Sequence, residues 1–483
     1  MNEKLKIMKH LFTKTFFILN FSFLITLASC SLSKQLSKQA TDILLKDTAI
    51  STGHIGISIY EPASNKYWYN YNADKYFIPA SNTKLFTLYA GMKYLGDSLT
   101  GLVYQNFSDT AINVAGTGDP TFMHAGFKNQ PALDFLKAQK KIIYLSGNYK
   151  DSALGYGWAW DDYNDDYMVE RSAFPIYGNT ISILIDGYKK DEKFYIEPDW
   201  KTSPKYYETI LPGFRLLDAK LRADASLKKI DSNKAQLLTK SFTIHRNRTS
   251  NTFTLKSANS IFKNQTIPVY TDGLRNTATA LKNDFELNIK EGSLSDNSLY
   301  PGTPARLRWH KIKSQPSDSL FKPMIHRSDN FFAEQTLLMV SNEYLGEMST
   351  GKIIETLLSS DLKDVPQKPK WVDGCGLSRY NLFTPQSFIY ILNKTKNEFG
   401  WERLKNILPT GGTGTLSSYY KKDSGYIYAK TGTLSNNCAL SGVLITKKGK
   451  MLIFSVLANS YITGATPVRK AVEHFLLAIR ENY

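Results

Sequence analysis

The chain has 483 residues, of which 42% are hydrophobic and 21% charged, and its formal net charge is +17. These proportions are ordinary for a globular protein and exclude a disordered or fibrous chain. A single hydrophobic core rarely serves so many residues, so two or more domains are expected. The positive charge would suit an anionic cell wall, a membrane or nucleic acid, or it could simply keep the surface soluble, and it does not decide among these.

The first residues predict an export signal. Residues 1–14 carry four lysines and one glutamate, and an apolar stretch from Phe16 to Leu27 follows them. This order is typical of a signal peptide, and no later run in the chain is long enough to span a bilayer. We therefore expect residues 1–29 to be removed and the mature protein to be exported. An exported protein would not meet nucleic acid.

The apolar stretch ends in Leu27-Ala28-Ser29-Cys30, which resembles the lipobox of bacterial lipoproteins. In that family the cysteine is diacylated and becomes the mature N-terminus, and multiple acyl chains hold a protein firmly on a membrane. The alternative is an ordinary signal peptide with a chance cysteine. We expect a periplasmic protein lipidated at Cys30, with residues 30–40 as a tether. Ser31 in place of an aspartate favours the outer membrane.

Along the mature chain, apolar patterns predict an antiparallel sheet covered by helices. A hairpin leads into an amphipathic helix from about Ser81, and three strands and a helix close the chain. The predicted elements are a helix end at Thr41–Lys46, strands at His54–Tyr60, Lys66–Tyr71, Tyr426–Ala429, Ala439–Thr446 and Met451–Ala458, and a final helix around Val468–Ile479. Residues 41–104 and 301–483 are therefore assigned to one domain of α/β (α+β) class.

The middle of the chain, residues 105–300, has a different composition. It is rich in Tyr, Asn, Asp, Ser and Thr and contains short alternating runs such as Ser241–Ile244 and Asn251–Leu255. Such alternation is typical of half-buried strands. We expect mainly β structure here, in one or, as we favour, two domains inserted into the first.

The first motif that could carry chemistry is Ser81-Asn82-Thr83-Lys84. At the start of a helix, residues three apart face the same side, and a lysine with a lowered pKa can take the proton of the serine. The pattern recurs elsewhere, but only Ser81 lies between a hairpin and an amphipathic helix. Zinc, Walker and Gly-x-Ser-x-Gly signatures do not occur, and the histidines lack ligand-like spacing, so neither a metal nor a cofactor is expected.

Two further motifs follow in the chain. Ser328-Asp329-Asn330 precedes an apolar run and could supply a hydroxyl for proton relay and an amide for a substrate carbonyl; a second copy at Ser295–Asn297 has no helix pattern behind it. Lys430-Thr431-Gly432-Thr433 ends a predicted strand, where a cation and hydroxyls suit a substrate carboxylate and the glycine permits close approach. Each motif alone could be a surface turn, but the three together in this order favour a functional site.

These three motifs resemble those of penicillin-binding proteins and serine β-lactamases. Further stretches resemble the low-molecular-mass class C D-alanyl-D-alanine carboxypeptidase/endopeptidase family, peptidase family S13. They are Pro79-Ala80-Ser81, Gly118–Thr121, Trp158–Asp162, Ala333-Glu334-Gln335, Asp373-Gly374, Gly376–Arg379, Ala429–Leu434 and Leu440–Gly442. The long gap between Ser81 and Ser328 fits the inserted domains of that family, which simple β-lactamases lack.

The resemblance implies a penicillin-recognising core acting on peptidoglycan stem peptides, with β-lactams as covalent inhibitors. Ser81 would attack the carbonyl of a D-Ala–D-Ala or D-Ala–diaminopimelate bond, Lys84 would act as base, and Ser328 would help to pass the proton to the leaving amine. Asn330 would hold the substrate amide. Lys430, Thr431 and Thr433 would bind the carboxylate beside Gly432, and the backbone N–H groups of Ser81 and Thr433 would form the oxyanion hole.

One position departs from the family pattern, since Cys375 replaces the first serine of the Asp-Gly-Ser-Gly-Leu-Ser stretch. We expect tuning or no effect there. Cys375 and Cys438 could pair in an oxidising compartment, and they are left unpaired by default because the sequence does not show whether they lie close together. Two other functions remain open from the sequence. One is a serine β-lactamase with fast deacylation, and the other is a catalytically idle lipoprotein that binds the cell wall as a sensor.

Overall fold

The structure, a computed structural model, describes residues 33–106, 108–185, 196–198, 242–257, 264–292 and 309–483. The predicted signal peptide, Cys30, Ser31 and the second Ser-Asp-Asn sequence lie outside these ranges. Among the described residues, no helix combines the length and apolar character needed to cross a membrane.

Strands and helices alternate irregularly through the described ranges. In chain order the strands are β1 (His54–Glu61), β2 (Lys66–Tyr71), β3 (Ser98–Asn106), β4 (Ala111–Gly116), β5 (Ile142–Ser146), β6 (Thr180–Ile185), β7 (Ile196–Pro198), β8 (Phe242–Arg246), β9 (Phe253–Ser257), β10 (Asn264–Pro268), β11 (Ile289–Glu291), β12 (His310–Pro316), β13 (Ile427–Leu434), β14 (Asn437–Ile445) and β15 (Met451–Asn459). The α-helices are α1 (33–39), α2 (Lys84–Tyr94), α3 (Pro131–Lys137), α4 (Arg275–Phe285), α5 (Ser317–His326), α6 (Asn330–Leu345), α7 (Thr350–Ser359), α8 (Pro385–Phe399), α9 (Trp401–Ile407) and α10 (Ala465–Asn482). A π-helical segment spans Ala40–Leu45, and 3-10 turns span Ala80–Thr83, Trp160–Asn164, Tyr177–Asn179, Gly414–Leu416 and Lys421–Asp423.

The described residues form two compact units. The first contains the described chain up to Asn82, Leu382–Glu398 and Pro409–Tyr483. Its five-stranded sheet has the order β13-β14-β15-β1-β2, and every neighbouring pair is antiparallel. Strands β14 and β15 are buried along almost their whole length, so both faces of the sheet centre are covered. Helix α10 packs on β14 and buries its apolar side chains at helical spacing.

The second unit contains Thr83–Asn381, as far as it is described, and Phe399–Leu408. Helices α2, α5 and α6 approach closely here, since a Cβ added at Gly91 would lie 2.7 Å from a ring carbon of Phe321 and 2.9 Å from Cγ2 of Thr336. A five-stranded sheet of order β11-β5-β4-β3-β12 is mixed: β5 is parallel to β4 and β11, while β3 is antiparallel to β4 and β12.

The predicted hairpin, the helix after Ser81, the three closing strands and the final helix are all present. In the middle region, the two alternating runs form the antiparallel pair of β8 and β9, but the same region also contains α3 and α4. Strand β3 pairs with β4 of the predicted insertion as well as with β12, so residues 98–104, predicted to belong to the catalytic domain, share a sheet with strands of that insertion. The predicted domain boundaries themselves stay a prediction.

Candidate active site

In the first unit, Ser81 lies in the 3-10 turn that precedes α2, and its side chain is half-buried. Ala80, just before it, has a φ of 47°, which a residue with a side chain rarely adopts. The side-chain amide of Asn82 donates a 2.9 Å hydrogen bond to the backbone carbonyl of Lys430. This bond ties the turn that carries the serine to strand β13.

Gly432 shows how closely β13 runs past the serine turn. A Cβ built on Gly432 would lie 2.6 Å from the carbonyl oxygen of Pro79 and 3.0 Å from the backbone nitrogens of Ser81 and Asn82. No side chain fits there without movement of the backbone. The structure therefore brings Ser81 together with the predicted carboxylate-binding segment, as the sequence motif requires.

The rest of that segment differs in exposure from residue to residue. Lys430 is fully buried, and its Nζ donates a 2.6 Å hydrogen bond to the carbonyl oxygen of Thr431. Thr433 is exposed, and its hydroxyl accepts a hydrogen bond from Nη2 of Arg469. The open end of β13 thus presents a hydroxyl and a guanidinium, and the sequence analysis did not identify Arg469.

In the second unit, Lys84 is completely buried at the first position of α2. Its Nζ donates hydrogen bonds of 2.6 Å to Oδ1 of Asn330 and 2.7 Å to the carbonyl oxygen of Cys375. Burial lowers the pKa of Lys84, because an ammonium loses its hydration there, while Cys375 and the nearby Asp373 carboxylate oppose the shift. A buried lysine of lowered pKa is suited to exchange a proton.

The Ser-Asp-Asn motif is placed by the start of α6. The Asp329 side chain caps this helix by accepting a 3.0 Å hydrogen bond from the backbone N–H of Phe332. Ser328 precedes it with a φ of 60°. Asn330 accepts from Lys84 through Oδ1 and donates through Nδ2 to the carbonyl oxygen of Tyr167 at 2.8 Å. These two bonds fix the orientation of the amide.

Two buried carboxylates, those of Glu334 and Asp373, lie near Lys84, and the sequence analysis did not assign either of them to the site. Glu334 accepts a 2.7 Å hydrogen bond from the backbone N–H of Cys375 and pairs with Arg171 at 3.2 Å. Burial and the neighbouring Asp373 carboxylate raise the pKa of Glu334 to about 7. The signal in the sequence was the glutamate in the apolar run Phe331–Gln335. Such a run is expected to be buried, and an unpaired charge there would be costly.

Asp373 organises the loop that holds Cys375. Its carboxylate accepts from the indole N–H of Trp158 at 2.9 Å and from donors in its own loop, at 2.8 Å from Gly376 N, 2.7 Å from Ser378 N and 2.7 Å from Asn381 Nδ2. The loop in turn presents the Cys375 carbonyl to Lys84. These four bonds make Asp373 a support for the position of the lysine.

Cys375 and Cys438 are both free and buried. Burial, with the carboxylates of Asp373 and Glu334 beside it, raises the pKa of the Cys375 thiol well above its usual value. A neutral buried thiol is a poor nucleophile, which argues against Cys375 as an alternative to Ser81. Ligand atoms of Glu334, Asp373 and Cys375 lie within 4.8 Å of one another. The carboxylates, however, already accept the N–H donors named above, so the cluster works as a set of hydrogen-bond acceptors.

The model of the family described as D-Ala-D-Ala carboxypeptidase 3 (S13) matches residues 36–210 and 218–479. The chain belongs to this family. D-alanyl-D-alanine carboxypeptidase DacB of Haemophilus influenzae is 24% identical over 422 residues, which are 82% of this chain and 83% of that protein. Penicillin-sensitive carboxypeptidase A of Dictyostelium discoideum is 23% identical over 470 residues, which are 87% and 85% of the two chains.

Among solved structures, penicillin binding protein 4 of Haemophilus influenzae matches with a TM-score of 0.66 at 20% identity, over 92% of this chain and 99% of that one. The same protein in complex with a β-lactam matches with a TM-score of 0.60 at 20% identity, over 91% and 97%. The likeness confirms the predicted fold class. Family membership confirms the predicted activity, that of a serine-type D-Ala-D-Ala peptidase. The roles assigned to single residues stay predictions.

Proposed function

We propose that this S13 peptidase cleaves peptidoglycan stem peptides through an acyl-enzyme on Ser81. The observation that carries the proposal is the setting of Lys84, three residues after Ser81: its amine is fully buried and held by two acceptors. In the first step the Ser81 oxygen bonds to the carbonyl carbon of D-Ala while its proton passes to neutral Lys84. The C–N bond then breaks, and the proton leaves with the amine.

The remaining predicted residues supply binding and charge stabilisation in this proposal. Asn330 holds the substrate amide and Ser328 relays the proton, while Lys430, Thr431 and Thr433 bind the substrate carboxylate. The backbone N–H groups of Ser81 and Thr433 stabilise the oxyanion; one such donor contributes about 2.7–4 kcal/mol in other enzymes. The tight passage of Gly432 beside the backbone nitrogen of Ser81 supports this arrangement. Water then releases the acyl group, and the same chemistry serves carboxypeptidase and endopeptidase substrates.

Mass spectrometry after exposure to benzylpenicillin tests the proposal. We expect a penicilloyl adduct on the peptide that contains Ser81, lasting minutes or longer, and release of D-Ala from a stem pentapeptide. Ser81→Ala should lose both, while the exposed control Ser51→Ala should keep both. A fleeting adduct with rapid drug hydrolysis would indicate a β-lactamase. An intact fold that forms no adduct and releases no D-Ala would indicate a wall-binding sensor.

We also propose that the protein is exported to the periplasm and anchored by lipidated Cys30, in the outer membrane. The support is the basic and apolar order of residues 1–27 and the Leu-Ala-Ser-Cys ending. Metabolic labelling with a radioactive fatty acid should mark the wild-type protein in the membrane fraction. Cys30→Ala should remove both the label and the membrane association. A labelled Cys30→Ala protein, or an unlabelled wild type, would reject the anchor.

A further inference from the structure

Arg469 lies beside the end of β13 because of the way α10 packs. Helix α10 buries Val468, Ala471, Val472 and Phe475, which are spaced along one face. Their burial fixes the rotation of the helix. Arg469 is therefore placed at the border of the buried face, where it is half-exposed, and its Nη2 donates to the hydroxyl of Thr433.

The partners of Arg469 are unusual for a fixed guanidinium. They are the Thr433 hydroxyl, the Cys438 thiol and the ring of Tyr419, whose centroid is 5.9 Å from the guanidinium carbon. Within the described part of the chain, no carboxylate lies within salt-bridge distance of it. By contrast Arg480, on the same helix, pairs with Asp423 at 3.2 Å. A guanidinium has five N–H donors, and a hydroxyl and a thiol are weak acceptors for them.

We propose that Arg469 binds the C-terminal carboxylate of the substrate and selects for substrates that have one. The inference rests on the proposed function, since it takes the end of β13 as the carboxylate-binding segment. A carboxylate bound at Thr433 would meet the planar donor fork beside that hydroxyl, and such pairs are charge-assisted. The leaving D-amino acid of a stem peptide carries this group, as does the fused ring system of penicillin.

The test measures kcat/KM for a synthetic peptide ending in D-Ala-D-Ala and for the same peptide with a C-terminal amide. For Arg469→Ala we expect a loss of about 10- to 100-fold with the free acid, which is the range for a lost hydrogen bond to a charged group. The amide should change by less than about 2-fold, because it offers no charge to the guanidinium. Arg469→Lys should restore part of the activity, since it keeps the charge and loses the fork. Lys470→Ala, an exposed neighbour, is the matched control.

Equal losses on acid and amide would overturn the inference, because Arg469 would then only support Thr433. An Arg469→Ala enzyme that prefers the acid to the amide by the same ratio as the wild type would also overturn it. If Arg469→Ala does not fold, Arg469→Lys and Arg469→Gln carry the same comparison. The proposed function fails separately: in that case the wild type would cleave neither peptide and form no adduct with benzylpenicillin.

Discussion

Around Lys84, the titratable side chains are buried and meet partners from the chain itself. Lys84 has two oxygen acceptors, Glu334 has Arg171 and a backbone N–H, and Asp373 has four donors. Around Thr433, at the end of β13, the side chain is exposed and the Arg469 cation meets a hydroxyl, a thiol and a ring. The first cluster uses its hydrogen-bonding capacity internally, whereas the guanidinium of the second has only weak acceptors among the described residues.

The difference teaches which property each cluster can supply. Buried, paired groups have a fixed geometry, and removing one partner leaves the other without compensation. Exposed donors cost little to leave without a strong partner, since water solvates them until a ligand arrives. We therefore expect changes in the Lys84 cluster to affect proton transfer and stability. Changes near Thr433 should affect substrate binding.

Removing the amine tests the Lys84 cluster most severely. Lys84→Ala should lower the rate of acylation by benzylpenicillin about 10²- to 10⁴-fold, the usual contribution of a general base. Stopped-flow or gel-based labelling with a fluorescent penicillin measures this rate. Lys75→Ala, which removes an exposed lysine paired with Asp74, should leave it unchanged. Acylation of a folded Lys84→Ala protein at near wild-type rate would show that another group takes the proton.

A methyl group at Gly432 tests how the turn of Ser81 meets β13. In Gly432→Ala the new carbon would lie 2.6 Å from the Pro79 carbonyl oxygen and 3.0 Å from the Ser81 nitrogen, so the turn must shift. We expect acylation to slow about 100-fold, comparable to the loss of one oxyanion donor. Gly351→Ala is the control, because nothing lies within 4 Å of its added carbon. Similar acylation rates in the two variants would show that the turn tolerates the shift.

The two sheets differ in how much of them the sequence could predict. Strands β1 and β2, and likewise β14 and β15, are antiparallel neighbours joined by short turns, so local alternation and turn residues were sufficient. In the other sheet, β4 and β5 are parallel and β3 pairs with β12 from far along the chain. Nothing local to a strand specifies such partners. The boundary predicted between residues 104 and 105 rests on composition, and it falls inside β3, whose partners are β4 and β12.

The site shows the same division between local and distant information. Ser81, Lys84 and the segment from Lys430 to Thr433 could be named because short motifs carry them. The pair of Arg171 and Glu334 joins residues 163 positions apart, and the contact of Arg469 with Thr433 depends on how α10 packs. Burial and packing decide these contacts, and neither can be derived from a motif. The one local sign of the Arg171–Glu334 pair was the position of Glu334 in an apolar stretch of the sequence.

The last expected effect is on stability rather than on rate, and it concerns the proton affinity of Glu334. The pKa of Glu334 is raised from 4.5 to about 7, so between these pH values the folded state binds more protons than the unfolded state. The contribution of Glu334 to stability is therefore fully present below about pH 4.5 and is lost as the pH rises through about 7, and it amounts to about 3 kcal/mol. Glu334→Gln places a neutral amide beside Arg171, and any cost of this to stability is the same at every pH. The variant should therefore remove this dependence of stability on pH. Glu355→Gln, at an exposed position, should retain it. The measurement is the thermal unfolding midpoint of each variant from pH 4.5 to 8. If the midpoints of both variants changed equally with pH, Glu334 would be ionised over this whole range, held so by Arg171.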